Sequence, residues 1–557
     1  MKSIRRTTVT ATWVKRMACL VCAACLGTLL TSYAVAADIE KWKQFRFEMS
    51  AANWQGSNPF VDVQLTGTFK HVPSGATFSQ PGFYAGSNTW KIYFMPHLQG
   101  EWTFTTASNT AELNGKTGTF NCVASSLKGS IQPSGLRWKY SDGGYVYPIM
   151  TSSSFYYRGT ELGGGISDFI DWVDQTMHGK FIHPAQLYYF KADGKFVKSQ
   201  SDLAFESGKQ PDWLNPAFFE RLNGHLDYLR DRNMGMYVMF FSDDAHSPDA
   251  NGVQENSDGS LSEVEKRLYR YAIARFAAYP NIIWDSGIDV GEYRDDNGQG
   301  DKWYKAFVNY IIATDPWDHP VSSRTGGGSK GVFPPNATYF SDGIINPTSY
   351  PDYVQTWQSR SVPTAFTDRF REDYSRGNYN RTKLRQTIWQ AGLTGGSVTL
   401  VSGKDNSGYL GSSYQSDLEA APDIGYAVGF FENIVVNFDS LDPAASLADD
   451  NTKNWAAAAP GSEYVVYLSP GNANKVTLNL SAAAGTTFHV YWYDPLDGKL
   501  TAAADVSGGG NPLFNTPGNN SGGQNDWALY LRATDLPTIP GSPPAQPKNV
   551  QVDIIRK

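Results

Sequence analysis

The 557-residue chain is 14% aromatic and only 18% charged, with 53 glycines and 30 prolines. This is too apolar for a disordered chain and too rich in turn formers for a helical bundle. The formal net charge of −7 argues against a general nucleic-acid binder.

Residues 1–36 read as an export signal. Lys2, Arg5, Arg6, Lys15 and Arg16 precede an apolar stretch over 17–30, and Ala34-Val35-Ala36 offers a small-x-small cleavage site. The apolar stretch is shorter than the ~20 residues a spanning helix needs. The expectation is a secreted or periplasmic protein with no membrane contact after cleavage. Cleavage makes the chain more acidic and leaves Cys122 as its one cysteine. That excludes an intramolecular disulfide and a cysteine metal cluster, and Cys122 reads as a small buried apolar residue.

Residues 37–126 read as an N-terminal β-sandwich. Val61, Val63 and Leu65 alternate with polar residues, as do Trp90, Ile92 and Phe94. That is the period of a half-buried strand.

Residues 127–445 alternate strands with helices. Asn215-Pro216 gives a capping side chain followed by proline at the first helical position. Phe218, Leu222, Leu226 and Leu229 form the apolar stripe that follows, and Gly235 is read as its end. The run 236–241 is a strand buried on both faces. Ser262 and Glu265 have capping-box spacing ahead of a second stripe, Val264, Leu268, Ala272 and Phe276. A third helix is marked by Trp303, Phe307 and Ile311. Further strands are expected at 145–150, 181–189, 281–284, 320–323, 343–345, 363–367 and 397–401. Eight strands over about 300 residues fit a central (β/α)8 TIM barrel, and no glycine-rich phosphate fingerprint supports a dinucleotide fold.

Residues 446–536 return to strands and read as a C-terminal β-sandwich. Residues 537–557 are a Pro-rich connector and a lone terminal strand. The fold class is therefore multidomain α/β plus all-β, a (β/α)8 barrel flanked by two β-sandwich domains.

In such barrels active-site residues follow the C-terminal ends of the strands. Asp243, Asp244 and His246 follow the third strand. Asp285, Asp289 and Glu292 follow the fourth, Arg324 the fifth, and Asn346 and Tyr350 the sixth. Asp368, Arg369 and Glu372 follow the seventh. Carboxylates after strands four and seven face each other across a barrel mouth, and a carboxyl pair is what glycosidic cleavage needs. Trp284, Tyr293, Tyr350 and Trp389 are candidate sugar platforms, although Trp284 and Trp389 suit a core equally well. Asp243, Asp244 and His246 are weak evidence for a metal, and no metal or cofactor is expected.

The segment 281–289 (Asn-Ile-Ile-Trp-Asp-Ser-Gly-Ile-Asp) resembles the strand-four segment of retaining (β/α)8 glycoside hydrolases. The segment 362–368 (Val-Pro-Thr-Ala-Phe-Thr-Asp) resembles their strand-seven segment. Residues 215–221 and 391–396 resemble more closely the apiosidase-like barrel hydrolases of bacterial polysaccharide-degrading systems, whose members often carry N- and C-terminal sandwiches. The resemblance implies that Asp289 is the acid/base and Asp368 the nucleophile. Both positions usually hold glutamate in that group, and Ile288 replaces the usual asparagine. Glu292 or Glu372, on longer arms, can take either role.

The expected activity is hydrolysis of O-glycosyl bonds in a plant or algal matrix polysaccharide or its oligosaccharides. Arg324, Tyr293 and Asn346 would bind hydroxyls or acidic substituents. The alternatives are a non-catalytic glycan-binding barrel, motivated by the two lost glutamates, and a polysaccharide lyase using His183, His246 or Tyr350. Oligomeric state has no signature in the sequence.

Overall fold

The computed structural model describes residues 32–33, 38–152, 165–183, 204–206, 213–241, 256–287, 299–323, 334–342, 349–371, 380–402 and 414–534. At its centre eight parallel strands follow one another around a barrel. They are β1 (Ile149–Ser152), β2 (Phe181–His183), β3 (Gly235–Phe241), β4 (Ile282–Gly287), β5 (Val321–Ser322), β6 (Phe340–Asp342), β7 (Thr364–Arg371) and β8 (Ser397–Ser402). The ladder runs β5-β4-β3-β2-β1-β8-β7-β6. The seam between its ends is bridged just before β6, where the Thr338 N–H donates to the Val321 carbonyl at 2.9 Å. The Val321 N–H donates in turn to Thr338 Oγ1 at 2.8 Å.

Helices α1 (Ile166–Met177), α2 (Pro216–Arg230), α3 (Glu263–Phe276), α4 (Gln299–Thr314), α5 (Tyr350–Gln358), α6 (Arg381–Leu393) and α7 (Ala421–Asn433) pack outside. Their starts are set locally. The Asn215 side chain accepts the Ala217 N–H, and Ser262 with Glu265 forms the reciprocal capping box. α2 stops at Arg230, and Asn233 turns the chain at a φ of 55°. Gly235 therefore opens β3 instead of ending the helix. A Cβ there would stand 1.8 Å from the Asn281 carbonyl oxygen, so only glycine lets β3 approach the entry to β4.

The strand expected over 145–150 is divided. Tyr145–Val146 joins an antiparallel hairpin, Ile131–Ser134 with Arg137–Tyr140, and Ile149–Ser152 enters the barrel. Pro148, between the two pieces, has no N–H to give a ladder. The hairpin plugs one end of the barrel. Ile131, Trp138 and Val146 pack on Met150, Phe181 and Ile283, which point inward. β6 lies at Phe340–Asp342, just ahead of the expected 343–345, which falls outside the described residues.

The N-terminal residues form two facing sheets. One has six strands and includes Leu65–His71, Gly100–Ser108 and Thr117–Val123. The other pairs Phe45–Ser50 with Thr89–Phe94 and Phe83–Gly86. Phe45 stacks on Phe120 and Phe69 on Phe94 between them, at 4.3 and 4.0 Å. Trp90, Ile92 and Phe94 are buried as their alternation predicts. Val61 is 50% exposed and precedes the strand that begins at Leu65. There Asp62 accepts the Ser57 and Asn58 N–H groups, which makes a turn and not a ladder. Cys122 is buried, and burial pushes its thiol up to about 11.

The C-terminal sheet is buried on both faces. Val466, Phe488, Val490 and Leu531 point into the sandwich's own core. Trp455, Val465, Tyr467 and Tyr530 point into the barrel's helical layer. Two alternating faces each covered by apolar neighbours explain why Glu463–Leu468 reads as an unbroken buried run. The connector and lone strand expected over 537–557 lie outside the described residues.

Candidate active site

The mouth of the barrel is the end at which β4 finishes with Trp284, Asp285, Ser286 and Gly287. Alternation fixes which of these face inward. Ile283 joins the interior cluster, so Asp285, two residues on, faces the interior as well. Its carboxylate is fully buried. Tyr237 of β3 donates to Asp285 Oδ2 at 2.7 Å. Tyr339, immediately before β6, donates to the same oxygen at 3.2 Å. The Gly287 N–H donates to Oδ1 at 3.2 Å. Ser341 Oγ lies 3.5 Å from the Tyr237 hydroxyl, which continues the polar layer to β6. Burial, and then the adjacent Asp285 charge, hold the Tyr339 phenol well above its ordinary pKa, so it remains a donor.

Trp284 faces the other way. Its ring lies in the helical layer, with Phe240 stacked 6.0 Å away, and its N–H donates to Asp315 at 2.8 Å. His319 Nδ1 meets the same Asp315 oxygen at 2.8 Å, and the Trp317 N–H meets the other at 3.0 Å. Burial alone would raise the Asp315 pKa. The His319 ring and these N–H donors outweigh it and hold the carboxyl below its usual range. At the end of β4, Ser286 hydrogen-bonds Ser323, just past β5.

Three proposed sugar platforms are corrected by this packing. Trp284, Tyr350 and Trp389 are fully buried. Tyr350 opens α5, stacks on Trp455 and donates to the Ala456 carbonyl at 2.7 Å. Trp389 lies on α6 and stacks on Tyr467 at 4.9 Å. All three are buried in the barrel's outer layer, Tyr350 and Trp389 against the C-terminal sheet, so none presents a face to a sugar.

Asp368 lies within β7, which runs past the expected strand end to Arg371. The register between β7 and β8 shifts between Phe366 and Phe370, so Asp368 falls in an irregular stretch of backbone. Bulges of this kind are common at barrel rims and beside active sites. Asp289, Glu292, Tyr293, Arg324, Asn346, Glu372, Asp243, Asp244 and His246 lie outside the described residues. Among the described residues, no group of three His, Cys, Asp or Glu could hold a metal ion. No described helix is long and apolar enough to cross a membrane.

Asp285 was noticed in the sequence only as one acid after an apolar run. The signal that distinguishes it is its inward parity with Ile283.

Two family models match parts of the chain. Residues 38–109 match a domain of unknown function, DUF5060. Residues 443–532 match the family described as "Putative collagen-binding domain of a collagenase". A search of curated proteins returned no significant match. Solved structures decide the architecture. A "putative glycoside hydrolase" from Bacteroides vulgatus superposes with a TM-score of 0.68 at 19% identity, covering 89% of this chain and 99% of that one. The barrel fold is that of glycoside hydrolases. A family 5 glycoside hydrolase from the same organism gives a TM-score of 0.55 at 14% identity, covering 73% and 93%. A further glycoside hydrolase gives 0.54 at 14% identity, covering 74% and 98%.

Proposed function

We propose that the chain is a secreted glycoside hydrolase acting on a plant or algal matrix polysaccharide or its oligosaccharides. The closed parallel barrel carries this reading. A chain that leaves β4 or β7 at its C-terminal end opens onto one rim, which is where barrels of this kind hold their chemistry. Asp289 comes two residues after the end of β4, and Asp368 lies in the irregular stretch of β7. The likeness to glycoside hydrolase structures supports the reaction class, and the motifs over 215–221 and 391–396 support the finer apiosidase-like likeness.

Asp289 is the general acid that protonates the leaving oxygen, which requires a pKa raised by burial or a neighbouring charge. Asp368 attacks the sugar carbon or activates water. Glu292 and Glu372 are the alternates on longer arms, and Arg324, Tyr293 and Asn346 bind hydroxyls. Two carboxyls ~5–5.5 Å apart would retain the anomeric configuration, whereas ~6.5–9.5 Å leaves room for water and inverts it. We read the C-terminal sandwich as a brace, because one face of its sheet is spent on the barrel.

Incubation with a panel of matrix glycans tests the reaction class. New reducing ends without ultraviolet-absorbing product are expected. Saturable binding with no product would favour a glycan-binding barrel, and an unsaturated product would point to a lyase.

A further inference from the structure

We propose that Asp285 is a positioning residue of the barrel mouth, holding the end of β4 to β3 and β6 four positions before Asp289 in the sequence. The kinetic consequence rests on the glycosidase reading; the structural one does not.

The placement of the charge is the first argument. Inward positions of such barrels are mostly filled by branched apolar side chains. Burying a carboxylate costs several kcal/mol, and an apolar replacement of similar volume is often neutral or stabilising. A chain selected only for stability would carry Leu or Val beside Ile283. Position 285 instead holds a fully buried acid.

The donors are the second argument. Among the described residues they come from separate points around the mouth: Tyr237 on β3, Tyr339 at the start of β6, and the Gly287 N–H at the end of β4 itself. The single Tyr339 O–H is shared between that carboxylate oxygen and the Trp284 carbonyl, each at 3.2 Å, so one phenol reaches both the backbone and the side chain of β4. The Asp285–Gly287 bond closes a turn at the last residue of the strand, two residues before Asp289. Other buried charge clusters among the described residues lie elsewhere. Asp315 with His319 precedes β5, and Arg385 with Asp423 and Asp526 lies between α6, α7 and the C-terminal sheet.

The test uses Asp285→Asn, with Tyr237→Phe as the milder second variant. Hydrogen exchange of the peptide covering 282–289 should be ~10-fold faster in Asp285→Asn. One amide oxygen cannot replace two carboxylate oxygens that accept on one side from the Gly287 N–H and on the other from Tyr237 and Tyr339, so at least one hydrogen bond is lost. On the best glycan, kcat should fall ~100-fold with KM nearly unchanged, since small misplacement of a catalytic group costs about that much. Tyr237→Phe should lose ~10-fold in kcat. A merely structural role would lower Tm and leave the folded enzyme's kcat intact. Wild-type exchange and wild-type kcat in Asp285→Asn would overturn the proposal, and Tyr237→Phe at wild-type kcat would do so if Asp285→Asn does not fold. Loss of turnover in Asp289→Asn beside full turnover in Asp285→Asn sinks this inference alone. Full turnover in both Asp289→Asn and Asp368→Asn sinks the glycosidase reading, and the exchange result then judges Asp285 by itself.

Discussion

Trp389 on α6 stacks on Tyr467 of the C-terminal sheet, with ring centres 4.9 Å apart and planes 15° from parallel. Beside this stack, fully buried Arg385 donates to Asp526 at 2.8 Å and to Asp423 at 2.9 Å, and Tyr467 donates to Asp526 at 2.6 Å. Barrel and sandwich thus share one buried polar and aromatic layer. Arg385→Leu leaves buried Asp526 without its cation, while Asp423 keeps Arg381, and should cost ~3–5 kcal/mol. Urea unfolding followed by tryptophan fluorescence should show a single transition moved to lower urea. Two separate transitions, with only one moved, would show that the sandwich unfolds independently.

Asp315 gives a pH dependence with a definite sign. Its folded pKa lies below the usual carboxylate value, so its contribution is present above that value and is lost as pH falls through the folded pKa. Unfolding free energies of the wild type should drop on acidification below about pH 4, more steeply than those of Asp315→Asn. The variant itself, whose amide offers one accepting oxygen where the carboxylate serves Trp284, His319 and the Trp317 N–H with two, should be destabilised by ~1–3 kcal/mol at neutral pH. Parallel pH profiles for the two proteins would show that Asp315 is not held in its ionised form.

Gly235→Ala tests the close approach of β3 to the entry of β4. The added Cβ would overlap a backbone carbonyl of Asn281, which cannot swing aside as a side chain can. A loss of at least ~3 kcal/mol is expected in denaturant unfolding. A neutral substitution would mean that the two strands separate freely.

In a chain beginning at Ala37, Cys122 is the only thiol, and it is buried with its pKa raised to about 11. A maleimide at mildly alkaline pH should label none of the native protein and one site per chain in urea. Rapid labelling of the native protein would contradict the packing of the N-terminal sandwich.

Local signals were the most legible part of the sequence. Asn215 and the Ser262–Glu265 pair cap their helices through residues two or three positions away, so neighbours alone decide them. Gly235 was misread because its purpose is contact with Asn281, which no local pattern encodes. The division at Pro148 has a local cause, but the hairpin that takes up Tyr145 is a tertiary arrangement. Trp284, Tyr350 and Trp389 were offered as platforms because aromatic residues near strand and helix ends suit either a mouth or a core. Only the packing of α4–α6 and of the C-terminal sheet separates the two. Asp285 carried the opposite ambiguity, since an acid at the edge of an apolar run looks solvated until Tyr237 and Tyr339 are seen to donate to it.

The central claim is that the acids after β4 and in β7 act together on one glycosidic bond. Its most direct test is kcat/KM for Asp289→Asn and Asp368→Asn on the glycan that the wild type cleaves fastest, with Tm confirming the fold. The account predicts a loss of at least ~1,000-fold in each variant. Near-wild-type turnover in both, with the fold intact, would contradict it.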